Sequence, residues 1–191
     1  MAIAIIERIR ALSGKRPLEF HPLDLNEIAA DILRLVSADA RRRGITLQSE
    51  LTYPLPMVKA DKVCLQQVIL NLIVNAMDAM TATPTGRRHI TISSELSGTD
   101  VVVAVHDSGP GLPADLLGKL FTPFVTTKSN GVGIGLAIAR TIVEAHGGTI
   151  GARNSPVGGA IFTLTLPATD AHEIQSSKLE FVGSSNESSN A

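Results

Sequence analysis

Residues 61–80, DKVCLQQVILNLIVNAMDAM, constrain what this chain can fold into more than any other stretch. At about 100° per residue, Gln67, Asn71, Asn75 and Asp78 fall within an arc of about 80°. Val68, Ile69, Leu72, Ile73 and Met77 fill the other directions. A helix apolar almost all the way round belongs in a core, because a solvent face would hold Lys and Glu. Four aligned amide or carboxylate side chains on such a helix need partners, since leaving them dry and unpaired costs roughly 1–3 kcal/mol each. The stripe therefore either lines a polar site or forms a hydrogen-bonded seam to a neighbouring element.

A chain of 191 residues with 44% hydrophobic content can build a core for this helix. One compact domain over residues 18–168 is expected, with a separate short helix at 1–14 and a Ser-, Asn- and Glu-rich tail at 169–191 that holds little to form a core. The net charge of −1 offers no general attraction to nucleic acid or to an anionic membrane. The basic run at 41–43 reads as the solvated end of a helix. Cys64, the single cysteine, reads as a small buried hydrophobe. No apolar run approaches the roughly 18 residues of a membrane span, and no signal-peptide pattern precedes the first charges. Direct membrane contact is not expected, and the cytoplasm is the expected location.

Before the central helix, Ile3, Ile6, Ile9 and Leu12 repeat at helical spacing up to Gly14. A strand is expected at 18–23. Asp24, with Glu27 three residues on, marks the start of a helix over 25–43 that runs through Ile28, Ile32, Leu35 and Val36. Residues 45–51 read as a strand, and the segment VKAD leads into the central helix. Beyond it, HITISSEL and DVVVAVHD alternate as an antiparallel hairpin, and 112–120 reads as a short helix. TIGARN and AIFTLTLP follow as strands around a turn at 156–159.

The candidate chemistry begins at the end of the second hairpin strand. Asp107-Ser108-Gly109-Pro110-Gly111 puts a carboxylate and two glycines where a ligand can approach the backbone, or else forms a plain capped turn. Phe121 and Phe124 flank an aperiodic polar stretch including Thr126, Thr127, Lys128, Ser129 and Asn130, as two aromatic anchors of a loop would. Gly131-Val132-Gly133-Ile134-Gly135-Leu136 then opens a helix that ends at Gly147-Gly148. Glycines at a helix start let backbone N–H groups face an anion. The spacing matches neither the dinucleotide-binding nor the P-loop fingerprint.

In this order, NLIVNAMDAM, DSGPGLP, LFTPFVTTK and GVGIGLAIAR resemble the N, G1, F and G2 boxes of bacterial sensor histidine kinases, over about residues 57–167. The resemblance implies an α+β domain of the Bergerat type: a two-layer sandwich whose mixed, mostly antiparallel sheet carries helices on one face. It implies ATP and Mg²⁺ as cofactors. Asn75 is similar to the metal-ligating amide, and Asn71 lies one turn earlier, where related ATPases carry a glutamate that activates water. An amide cannot take that proton, which points to phosphoryl transfer to a protein with slow hydrolysis. Asp107 resembles the aspartate that accepts the adenine amino hydrogen, with Gly109 and Gly111 making room for the base. Thr126, Thr127 and Lys128 fall in the implied lid, and Gly131, Gly133 and Gly135, with Leu136, at the implied phosphate-facing helix start. Asp78 completes the implied nucleotide set, and Asn71, Asn75 and Lys128 the catalytic one.

The family's phosphoacceptor box has no match around His21, His89, His106, His146 or His172. The implied partners are accordingly a histidine-bearing dimerisation domain, in the same parent protein or in trans, and a downstream response regulator. Residues 1–14 resemble the last turns of the second dimerisation helix. A nucleotide-binding regulatory module without kinase activity is the alternative. A protein serine kinase of the same superfamily is disfavoured by Asn71.

Overall fold

Asp24 and Asp61 each open a long helix in the same way. In the computed structural model, which describes residues 17–126 and 132–169, both adopt extended backbone and turn a carboxylate onto the first-turn N–H groups. Asp24 accepts from Asn26, and Asp61 from Val63 and Cys64. These caps satisfy donors that a helix start leaves orphaned. Helix α1 follows as Leu25–Arg42 and α2 as Lys62–Ala79, so Asp61 and Met80 bound the central helix and are not part of it. Strands β1 (His21–Leu23) and β3 (Val58–Ala60) pair antiparallel beside the entry to α2.

The main sheet has five strands. Its members are β2 (Thr46–Leu51), β4 (His89–Ser97), β5 (Asp100–Asp107), β6 (Thr149–Asn154) and β7 (Ala160–Pro167), in the order β2-β4-β5-β7-β6. Among the described residues only the β2–β4 pairing of this sheet is parallel. The strict alternation along β5 and β7 puts Val101, Val103, Val105, Phe162, Leu164 and Leu166 on one buried face, as period-two side-chain geometry requires. That face forms one core with the helices, including Leu65, Ile69, Leu72 and Ile73 of α2. Helix α3 (Gly135–Ala145) contributes Ile138, Ala139, Ile142 and Val143 and ends where Gly147 takes φ +73°. Among the described residues no helix is long and apolar enough to cross a membrane.

The expected mixed sheet and hairpin are present with three of the expected helices, α1, α2 and α3, and Cys64 is buried. Five local expectations differ. The first strand is confined to His21–Leu23. Leu35 is 67% exposed; α1 buries Ile28, Ile32 and Val36, and Leu35 lies off that stripe. Residues 112–120 form successive turns instead of a helix, with Leu116 N–H donating to Pro113 O and Lys119 N–H to Leu116 O. Three-residue bonds of this kind leave no four-residue ladder to propagate. Phe121 packs against the core, but Phe124 is exposed with φ +68°. The loop base is closed instead by Phe124 N–H donating to Gly133 O at 2.9 Å. Finally, α2 is less enclosed than its periodicity implies, since Val63, Gln67 and Val74 are exposed. Residues 1–14 lie outside the described part, as does the tail beyond Thr169.

Candidate functional site

A cavity of about 960 Å³ opens between the C-terminal half of α2, the end of β5, the turns at 110–120 and the start of α3. Asn75 and Asp78 reach its wall from α2, the positions at which the polar stripe leaves the core. Asp107, Gly111, Thr126, Gly133, Gly135 and Leu136 also line it. The sheet register places Asp107 there: its partner across β4–β5 is Ile90, and His106 before it pairs with Ile161.

Asp107 is only 2% exposed. Its Oδ1 accepts from the N–H of Gly109 at 2.8 Å and of Ala160 at 3.4 Å. Burial raises the carboxyl above its ordinary range, opposed by these two backbone bonds and by nearby His106. A raised folded-state value means that the stability this group contributes is complete below the ordinary carboxylate range and is lost as pH rises through the raised value. Asp107→Asn removes that loss. In denaturant unfolding of the ligand-free chain, the variant should gain on wild type as pH rises above the ordinary carboxylate range. A difference between the two proteins that does not vary with pH would contradict the assignment.

The start of α3 forms the opposite side. Its N-cap, Ile134, makes no side-chain cap bond, so first-turn N–H groups at Gly135 and Leu136 meet the cavity at the positive end of the helix dipole. A side chain at Gly133 would come within 2.8 Å of Phe124 C and Val125 O, and its φ is +69°. Glycine here lets the loop base cross close to the helix start. Asn71 does not line the cavity; its Nδ2 donates to Gly135 O at 3.4 Å and ties α2 to α3. Gly109 sits beside Asp107, where it supplies the N–H just described. Thr127, Lys128 and Gly131 lie outside the described residues.

Several residues that shape this site carry no local signal. Asn154 clasps the loop at Leu112 from 42 residues away, accepting from its N–H at 2.6 Å and donating to its carbonyl at 2.9 Å. Gly159, legible only as part of a turn, lets Ala160 approach Asp107. Leu112, Leu116, Leu120, Val125 and Phe162 supply apolar wall, suited to a flat, weakly polar group with a charged end toward α3. His146, at the far end of α3, is structural: its Nε2 accepts from Asp61 N–H at 3.0 Å and its Nδ1 lies 2.7 Å from Ile142 O.

Residues 60–170 match the family model described as histidine kinase-, DNA gyrase B-, and HSP90-like ATPase. The sensor histidine kinase TmoS of Ectopseudomonas mendocina is 35% identical over 170 residues, covering 88% of this chain and 18% of TmoS. The chain spans 18–35% of the length of the first curated relatives it matches. The nucleotide-free catalytic domain of histidine kinase ThkA superposes with a TM-score of 0.71 at 38% identity, covering 79% of this chain and 97% of that one. ThkA is also solved in complex with the response regulator protein TrrA (34% identity, TM-score 0.71, 88% of this chain and 47% of that one). Full-length ShkA in complex with AMPPNP matches with a TM-score of 0.71 and 30% identity, over 82% of this chain and 32% of that one.

Proposed function

This chain belongs to the histidine kinase-, DNA gyrase B-, and HSP90-like ATPase family, and from that premise we propose that its cavity binds Mg-ATP and delivers the γ-phosphoryl group to a histidine on a dimerisation domain. The observation that carries this reading is the pairing, across one cavity, of a buried carboxylate at Asp107 with the uncapped start of α3. The first is an acceptor for an exocyclic amine at the apolar end, and the second is a donor surface for phosphate oxygens. AMPPNP bound to ShkA and response regulator TrrA bound to ThkA support ATP as ligand and a response regulator as downstream partner. Because ATP is the substrate, the proposal places the domain in the cytoplasm.

The residues present fit a magnesium ion. No cluster of three acidic, His or Cys ligands exists among the described residues, and Mg²⁺ held by a nucleotide needs none, since it retains waters and takes one or two protein oxygens beside the phosphates. Asn75, whose amide stands on the cavity wall, would hold it, and the ion would neutralise charge developing on the phosphoryl oxygens. The chain's own contribution is positioning. Asp107 orients the base, the α3 N–H groups hold the phosphates, and the apolar wall excludes water. Asn71 is bonded toward Gly135 O and, being an amide, does not deprotonate water.

The test is transfer in trans. Incubated with labelled ATP alone, the 191-residue chain should hydrolyse it slowly and remain unlabelled. Adding a histidine-bearing dimerisation domain from a related kinase should give a phosphohistidine, labile in acid and stable in base. Acid-stable label on serine, or brisk ATP turnover by the chain alone, would overturn histidine transfer. ATP binding without any transfer would leave a regulatory nucleotide module.

A further inference from the structure

Asn154, the last residue of β6, uses its side-chain amide as a neighbouring strand would use its backbone. Its Oδ1 accepts from Leu112 N–H at 2.6 Å and its Nδ2 donates to Leu112 O at 2.9 Å. A primary amide can make both bonds because it carries donor and acceptor on separate atoms, without charge. The same amide lies against Gly111, where a Cβ would come within 2.8 Å of Asn154 Oδ1 and 3.4 Å of Gly159 O. Across the β6–β7 pairing Asn154 faces Ala160, whose N–H reaches Asp107 Oδ1 at 3.4 Å. The two sides of the turn between β6 and β7 therefore hold two parts of one cavity: the buried carboxylate at the end of β5, and the loop carrying Gly111 and Leu112. Asp107, Gly111 and Leu112 all line it.

We propose that Asn154 is a positioning residue for the base end of the nucleotide site, holding Gly111 and Leu112 at a fixed distance from Asp107 so that they form a wall for a purine. The proposal rests on the nucleotide reading above. A flat base gains from such a wall only while the gap is held, because an opening of about 0.5–1 Å forfeits roughly a quarter to a half of each contact's attraction. The loop supplies little of this restraint by itself. Pro110 has no N–H to donate, and Gly111, at φ +81°, lacks the Cβ that confines other residues. Asn154 is itself exposed, and hydrogen bonds at the surface contribute modestly to fold stability. Its consequence should therefore appear in binding of the base.

Calorimetry of adenosine and of Mg-ATP with the 191-residue chain reads the effect. Asn154→Ala should weaken both ligands by the same factor, roughly fivefold to tenfold, because Asn75 and the start of α3 are untouched. In the ligand-free variant Leu112 N–H should exchange faster, while the core amides of β5 and β7 exchange as in wild type and the unfolding midpoint changes little. In transfer to a dimerisation domain in trans, KM for ATP should rise by the same factor with kcat unchanged, since a wall for the base binds ground and transition states alike. Wild-type affinity for both ligands, a loss confined to Mg-ATP, or a fall in kcat at unchanged KM would each overturn the proposal. Faster exchange throughout β5 and β7 would overturn it as well, by making Asn154 a determinant of the fold alone. Wild-type chain that binds neither ligand would instead overturn the nucleotide reading, and this proposal with it.

Discussion

Gly159→Ala is expected to destabilise the domain by about 3 kcal/mol or more and to abolish ligand binding at Asp107. A Cβ at position 159 would fall 1.7 Å from the carbonyl oxygen of Asp107 and 2.7 Å from its carbonyl carbon. Both are backbone atoms of β5, so no side-chain rotation relieves the overlap. Gly159 also has φ +81°, which an L residue adopts only under strain. Either the turn or the end of β5 must move, and Ala160 N–H would leave Asp107 Oδ1. Gly158 provides the control: its φ is +104°, but a Cβ there meets nothing within 4 Å. Gly158→Ala should cost only about 1–2 kcal/mol from backbone strain. Denaturant unfolding of the two variants, with adenosine titration of each, checks the expectation. Equal midpoints would mean that the turn yields without cost and that the close approach to Asp107 is unimportant.

The second large effect is expected at Asn75. Asn75→Ala should weaken Mg-ATP by on the order of tenfold to a hundredfold, while metal-free adenosine binds within about twofold of wild type. Asn75 reaches the cavity from α2, on the same side-chain stripe as Asp78, whereas Asp107 reaches it from the end of β5. Removing an amide oxygen withdraws a ligand from a hard cation yet leaves the contacts at Asp107 in place. The substitution keeps a good helix former in α2, so unfolding should not obscure the result. Titration of each ligand with and without magnesium provides the measurement. Parallel loss of adenosine and Mg-ATP would assign Asn75 to the shape of the pocket and not to the metal.

Elements whose signals lie within a few residues were legible in the sequence. The apolar period of 61–80, the aspartates ahead of α1 and α2, the alternation of β4 and β5 and the glycines after α3 each involve neighbours along the chain. Short-range periodicity and capping largely decide such elements. The order of the polar boxes also anticipated which segments meet, because Asn75, Asp107 and the start of α3 lie on one cavity. Errors arose where local pattern was weak. At 112–120 apolar residues interrupted by Pro113 and Gly118 resemble a helix but form turns. At Phe124 a large apolar side chain suggested an anchor, yet a backbone bond to Gly133 does the closing.

What only the tertiary structure decided are the contacts that span long stretches of chain. Ala160 reaches Asp107 across 53 residues, Asn154 clasps Leu112 across 42, and Arg43 meets Asp78 across 35. Each depends on strand order and register, which bring β7 against β5 and the end of α1 against α2. No residue near Arg43 in sequence distinguishes it from Arg41 or Arg42; helix phase and the sheet beneath turn Arg43 alone of the three toward the cavity wall. Gly159 likewise looks like any turn glycine until β5 lies beneath it. The sequence by itself determined which helices and strands form and which polar groups they carry; the packing of the sheet determined which of those groups face one another, because that choice rests on long-range pairing with no local counterpart.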